Sequence, residues 1–200
     1  YFNPLTSLYL FPRGEDFSDV AVYERYDDLS GVNTQYWPYG DLGGVSSQNP
    51  YWIMNRMNRE NDRRRYKLAA SLQYNIIEGL NVQGRVSIDN TESKYTEKFH
   101  AGTVGNFAGP KGRYKEENRL DRQVYADVLA NFNKTFNEFN VTANLGASIK
   151  DLRMELTSLH GDLNNVTNHF TIENLTRSGY YKVNADGLKR QTQSVFANAE

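Results

Sequence analysis

An all-β fold of antiparallel strands is what this sequence predicts, on three observations. Apolar and polar side chains alternate with period 2 over several long segments. The connections between those segments are by turns very short and very long. Aromatic residues make up 13% of the 200-residue chain, with 14 Tyr and 10 Phe, against a mean hydropathy of −0.72. A chain that polar normally lacks the apolar surface for a core, yet disordered chains are poor in aromatics. The polarity is therefore expected in loops and on one face of the strands.

Residues 1–62 read as an irregular, aromatic-rich segment, punctuated by Pro4, Pro12, Pro38 and Pro50 and by Gly14, Gly31, Gly40, Gly43 and Gly44. A loop so aromatic is expected to pack on something, and such loops are often functional. Residues 63–200 read as strands. Tyr66, Leu68, Ala70, Leu72, Tyr74 and Ile76 share one parity, with Lys67, Ser71, Gln73 and Asn75 on the other. A turn at 77–79 leads to Leu80, Val82, Gly84, Val86 and Ile88, alternating with Asn81, Gln83, Arg85, Ser87 and Asp89. The unit recurs with Val124, Ala126, Val128, Ala130 and Phe132 against Tyr125, Asp127, Asn131 and Asn133. A turn near 136–138 follows, then Phe139, Val141, Ala143, Leu145, Ala147 and Ile149 against Asn140, Thr142, Asn144 and Ser148. A fifth strand is expected from Gln191. Long loops are expected near 96–118 and 160–189, and helical periodicity stands out nowhere.

Composition excludes several classes. Lys plus Arg total 23 against 24 Asp plus Glu, so the basic surplus of a nucleic-acid-binding chain is missing. Without cysteine there is neither a disulfide framework nor a thiolate metal site. No apolar run is long enough for a transmembrane helix. The opening Tyr1-Phe2-Asn3-Pro4 has no leader, and Phe196 to Glu200 reads as mid-strand, so both ends are expected to be internal to a longer chain.

Alternation is shared by every antiparallel sheet with one wet face, so pattern alone leaves two readings. One is a secreted soluble β-sandwich, a carbohydrate-binding or adhesin module. The other is a transmembrane β-barrel with long extracellular loops. Neutral Asn, Gln, Ser and Thr dominate the polar face, as suits a hydrated lumen. Tyr74 and Phe139 lie near the turns, where barrels carry aromatic girdles, and the short-turn, long-loop asymmetry is the usual one of outer-membrane barrels.

The string Gln48-Asn49-Pro50-Tyr51-Trp52-Ile53-Met54-Asn55-Arg56 resembles the NPYW…NR segment of the SusC/RagA family of TonB-linked outer-membrane proteins. As in that family, an Arg-rich stretch follows, then a strand ending Tyr74-Asn75-Ile76. Leu80-Asn81-Val82-Gln83-Gly84-Arg85 is similar to the family's L…QGR strand, and Asp121-Arg122-Gln123 through Leu145-Gly146-Ala147 fits the same middle portion of the barrel. The resemblance implies that these strands are about five of a barrel of about 22, with a plug inside. It implies a bacterial outer-membrane location, typically in Bacteroidetes, and uptake of oligosaccharides or peptides with a SusD-like surface lipoprotein as lid. Energy would come through TonB. The plug and the TonB contact site have no counterpart in this sequence. An iron–siderophore receptor, which shares the barrel but lacks the lid, is a third reading.

Candidate residues follow from both lines. Tyr36, Trp37, Tyr39 and Trp52 offer flat faces that could stack on a substrate, or could pack the long segment into a small core of its own. Leu80, Val82, Val86, Ile88, Val124, Val128, Val141 and Leu145 are expected to face lipid. Gln83, Arg85, Asp89, Asp127, Asn131 and Asn144 are expected to face the lumen. Arg63-Arg64-Arg65 could meet lipopolysaccharide phosphates or plug carboxylates. His100, His160 and His169 read as solvated loop residues without metal-ligand spacing. Gly102 to Gly105 and Gly109 to Gly112 lack the strand–loop–helix context of a phosphate loop. The sequons at Asn133, Asn140, Asn165 and Asn174 read as chance. No catalytic constellation, metal or cofactor is expected.

Overall fold

The computed structural model describes residues 3–39, 48–177 and 181–200. Two short helices open on Asn-Pro pairs. In α1 (Pro4–Tyr9) the Asn3 side chain accepts from the Leu5 N–H at 3.0 Å, and in α2 (Pro50–Arg56) that of Asn49 accepts from the Tyr51 N–H at 2.9 Å. Asparagine satisfies an orphan donor, and proline at the first helical position gives up an N–H that has no partner anyway. Between the helices lie a 3-10 turn, Phe17–Ala21, and a hairpin of β1 (Glu24–Asp27) and β2 (Val32–Gln35).

Five long strands follow: β3 (Met57–Ile77), β4 (Leu80–His100), β5 (Gly112–Phe136), β6 (Phe139–Asp162) and β7 (Tyr181–Ala199). They pair in sequence order in one sheet. Glu78-Gly79 joins β3 to β4, with Gly79 at φ +84°, and Asn137-Glu138 joins β5 to β6, with Asn137 at φ 53°. Both conformations lie in the left-handed region, which glycine enters freely and asparagine enters more readily than most residues.

Side-chain contacts define each register. Across β3 and β4, Arg59 meets Glu97, Glu60 meets Thr96 and Arg63 meets Ser93, each step along one strand matched by one step back on the other. That register puts Ile76 opposite Leu80, so the apolar parities of the two strands share a face. Across β4 and β5, Arg85 meets Asp127 and Asn131 meets Asn81. Across β5 and β6, Thr135 meets Asn140 near the turn, and Arg113 meets Asp162 in the same register. Across β6 and β7, Thr142 and Glu200 exchange backbone hydrogen bonds of 2.9 and 2.8 Å, and Asn144 bonds Asn198.

The strands outrun the expected ones. β3 begins at Met57, within the segment 1–62 read as irregular, and that segment also holds two helices and a hairpin. The loop expected near 96–118 shrinks to 101–111, and β7 starts at Tyr181 where the loop near 160–189 was to continue. Residues 40–47 of the first segment and 178–180 of the last loop lie outside the described residues. The cause is chemical: Glu92 to Lys98 and Lys115 to Asn118 are polar on both faces, so period 2 has no apolar half to reveal it.

The chain divides into two compact units. The first comprises Tyr1–Asp62, Lys94–Asn118 and Thr157–Asn184. Its core has one cluster of Trp52, Ile53, Met57, Phe99 and Ala108, with Tyr23 and Phe107 against it, and a second of Tyr114, Leu163 and Leu175 with Phe170. The second unit comprises Arg63–Ser93, Arg119–Leu156 and Ala185–Glu200. Among the described residues it has no buried apolar side chain: Leu72, Val86, Val128, Phe139 and Leu145 are all exposed. It is a single layer of sheet. No described helix is long and apolar enough to cross a membrane, which leaves strands unaffected.

Gly79 has no room for a side chain, since a Cβ there would strike the Asn133 carbonyl, whereas one at Gly84 meets nothing within 4 Å. Gly79→Ala is expected to cost roughly 1–2 kcal/mol through the positive φ alone and more through the clash, while Gly84→Ala stays near neutral. Denaturant midpoints of the two variants check this.

Candidate functional site

Two surfaces carry the polar chemistry. The first is one face of the strands in the second unit. Arg85 pairs with Asp127 at 2.9 Å, Arg65 with Asp89 at 2.6 Å, and Asn131 with Asn81 at 2.9 Å. Together with Asn144 and its partner Asn198, these contacts bring Arg85, Asp89, Asp127, Asn131 and Asn144 onto a single face, and Gln83 falls there by alternation. Leu80, Val82, Val86, Ile88, Val124, Val128, Val141 and Leu145 occupy the opposite parity. Arg63 and Arg65 belong to the polar face through Ser93 and Asp89, and Arg64 points the other way. Large apolar side chains interrupt the polar parity, and Phe196 is one of them. Its ring covers Gly146 on the neighbouring strand, where any Cβ would overlap it.

The second surface belongs to the first unit, and Asn49 organises it. Its backbone N–H donates to Gln35 Oε1 at 2.7 Å, while its Nδ2 donates to the carbonyls of Val20 at 2.9 Å and Tyr36 at 3.1 Å. With the cap on α2, one fully buried asparagine ties three stretches of chain. Three residues on, Trp52 is fully buried and donates from Nε1 to Thr103 Oγ1 at 3.1 Å. Arg56 closes a two-bonded pair with Glu24, both at 2.9 Å. The segment Asn49 to Arg56 is thus a cap, a proline start, a core anchor and an ion pair in succession.

The four aromatic candidates separate. Trp37 is 4% exposed and Trp52 is fully buried, so both are core. Tyr39 is partly exposed, edge-on to Trp37 at 5.4 Å and to Phe11 at 4.8 Å. Tyr36 is partly exposed with the Arg25 guanidinium 3.4 Å over its ring. Tyr26, Asn33, Arg56, His100 and Asn168 line a cleft of about 310 Å³ nearby in the same unit.

The histidines differ from the solvated loop residues expected. His100 ends β4, with Nδ1 3.0 Å from the Arg56 carbonyl and its ring 4.9 Å from Phe170. Burial pushes its pKa below the ordinary histidine value. His160 lies within β6 and is lowered by burial as well. Only His169 is exposed. No three acidic or histidine side chains among the described residues converge as for a metal ion.

No protein-family model matches the sequence, and no curated protein matches it. Solved structures do. The RagAB peptide importer in its "open-open" state superposes with a TM-score of 0.66 at 14% identity, covering 82% of this chain and 18% of that one. A structure of the RagAB peptide transporter gives 0.65 at 14% identity, covering 80% and 18%, and the importer's "closed-closed" state 0.64 at 14%, covering 82% and 18%. The fold is SusC/RagA-like. Identity this low speaks to the fold alone, and the present chain spans 18% of the length of those chains. Within this SusC/RagA-like fold, the Asn49 hub and the cross-strand pairs are the fixed points. Sequence reading separated the two strand parities but missed the hub, although Asn3-Pro4 and Asn49-Pro50 are recognisable helix starts.

Asn49→Ala removes a cap and strands one buried and one part-buried carbonyl, and is expected to destabilise the first unit by roughly 2–4 kcal/mol. Asn49→Asp keeps the cap acceptor but sets a charge against the carbonyls of Val20 and Tyr36, and should not rescue it. Hydrogen exchange across Pro50–Arg56 reads both variants, and protection equal to wild type in Asn49→Ala would refute the hub.

Proposed function

We propose that this chain forms part of the wall and outer loops of a TonB-dependent outer-membrane importer of peptides or oligosaccharides that works with a SusD-like lipoprotein. The single-layer sheet carries the reading: one face is paired and polar, the other exposed and aliphatic, in a SusC/RagA-like fold. A sheet exposes an aliphatic face only where lipid or another partner covers it. A soluble sandwich would need a second sheet over Leu72, Val86, Val128 and Leu145, and none lies over them among the described residues. From Tyr66 to Ile76 the outward parity is free of charge. At about 3.4 Å per residue and a tilt near 45°, that stretch covers roughly 25 Å, the height of a barrel's apolar band.

The polar face then lines the lumen, with the Arg85–Asp127 and Arg65–Asp89 pairs fixed along it. The RagAB structures are peptide importers by name, which favours peptides over oligosaccharides as cargo. Substrate contact in the aromatic segment falls to Tyr36 and Tyr39, whose rings are partly exposed, and leaves Trp37 and Trp52 as support. In the full-length protein, Tyr39→Ala should lower uptake while leaving hydrogen exchange in Pro50–Arg56 as it is; unchanged uptake would remove Tyr39 from the substrate path.

The sharper test is of facing. Arginine at a mid-membrane lipid-facing site costs roughly 2–4 kcal/mol, and a lumen site tolerates it. Val86→Arg should therefore abolish most assembly into the outer membrane, and Ser87→Arg should assemble like wild type. Equal behaviour of the two, or wild-type protein outside the membrane fraction, would overturn the reading.

A further inference from the structure

The apolar parity of the second unit changes character at one level. In the registers set by Asn131 on Asn81, Thr135 on Asn140 and Asn144 on Asn198, Asn90, Arg122, Arg153 and Lys189 fall on a single rung across β4, β5, β6 and β7. These residues share the parity of Val86, Val128 and Leu145. Ile88 and Val124 lie one rung nearer the turns, level with Asp151 on β6 and Gln191 on β7. Arg122, Arg153 and Lys189 are exposed. Residues directly opposite on neighbouring strands stand about 5 Å apart, where like charges repel.

Three acids on this face, Glu92, Asp151 and Glu155, lie within one rung of the row. Asp151 and Glu155 both flank Arg153 on its own strand, and Glu155 bonds it. Glu92 accepts from Asn90. Arg122 and Lys189 make no ion pair among the described residues. Over the same stretch the other face turns apolar, with Leu152, Met154 and Leu156 on β6 and Leu188 on β7. β6 thus inverts its amphipathicity at the level of the cationic row, and β7 exchanges its faces only at Leu188 and Lys189. A strand leaving hydrocarbon for a polar layer, and still packed on its inner side, would show such an inversion.

We propose that Arg122, Arg153 and Lys189 form a docking row for the phosphate headgroups of the lipid surrounding the sheet. The inference rests on the reading above that this parity faces lipid. Phosphate matches the row's chemistry: its oxygens accept from guanidinium groups on two strands at once, and its charge relieves the repulsion along the rung. The row stands one rung beyond Ile88 and Val124, where headgroups begin.

The test uses the full-length protein in detergent, supplied with phosphatidylglycerol or phosphatidylcholine, with retained lipids counted by native mass spectrometry. Wild type should keep phosphatidylglycerol in preference to phosphatidylcholine. The triple variant Arg122→Gln, Arg153→Gln, Lys189→Gln should lose that preference, about fivefold for each charge removed. A control on the opposite parity, Lys150→Gln with Arg190→Gln, should keep it. Unaltered preference in the triple variant, or equal loss in the control, would overturn the row. Should the triple variant fail to assemble, wild type still decides, because no preference for the anionic lipid overturns the proposal by itself. Wild-type protein found in the membrane without that preference sinks this inference alone, whereas wild type outside the membrane sinks the importer reading with it.

Discussion

Register is the constraint on which the sheet depends, because side chains alternate faces and a one-residue slip exchanges every apolar residue for a polar one. A slip of β4 against β5 would take Asp127 from Arg85 and bring it to the parity of Val86. Such a slip is blocked at several points. Gly79 sits against the Asn133 backbone, whose N–H bonds the Gly79 carbonyl at 2.7 Å. Phe196 fills the space over Gly146, a fit that any neighbouring residue in its place would lose. The pairs that look like surface decoration, Asn131 on Asn81 and Asn144 on Asn198, are register pins. Each contributes little alone as a hydrogen bond that is exposed or only part-buried, but a slipped register forfeits all of them together.

The first unit meets a different constraint. Its long connections must satisfy their backbone groups without a ladder, and buried asparagines do this. Asn174 is the clearest case beside Asn49. Its Oδ1 accepts from the N–H groups of Asn165 and Val166, both at 3.0 Å, and its Nδ2 donates to the carbonyls of Val166 and His169. Asn168, with φ 57°, accepts the Ala101 N–H at 2.7 Å. A mean hydropathy of −0.72 is compatible with order here because the polar side chains substitute for secondary structure in pairing the backbone.

This division explains how much was legible in the sequence. Leu80 to Asp89 and Phe139 to Ile149 declared both strand and face, since one parity is aliphatic and the other polar. The same strands beyond Asp89 and Ile149 did not, because their faces are both polar or exchange roles, as at Arg153 and Met154. Arg63-Arg64-Arg65 could not be resolved as a cluster, yet strand alternation sends its members to opposite faces once Ser93 and Asp89 are placed. Trp37 and Tyr39 look equivalent in sequence. Only packing on Phe11 and the core separates the buried ring from the partly exposed one.

A single-layer sheet raises a last physical question, the fate of its two outer strands. Among the described residues β3 pairs only with β4 and β7 only with β6, so each presents a row of backbone donors and acceptors on its far side. In water such an edge is an aggregation hazard, and in hydrocarbon it is untenable, because nothing there can bond the free groups. Charged residues on the outward parity could guard an edge, but from Tyr66 to Ile76 β3 has none. The aliphatic band and the open edges therefore make the same demand. On the importer reading, further strands continuing the ladder on both sides into a closed wall would meet the backbone requirement and the apolar requirement together. Such closure would, on the same reading, turn the paired face of Arg65, Arg85, Asp89 and Asp127 inward and leave the aliphatic face to lipid.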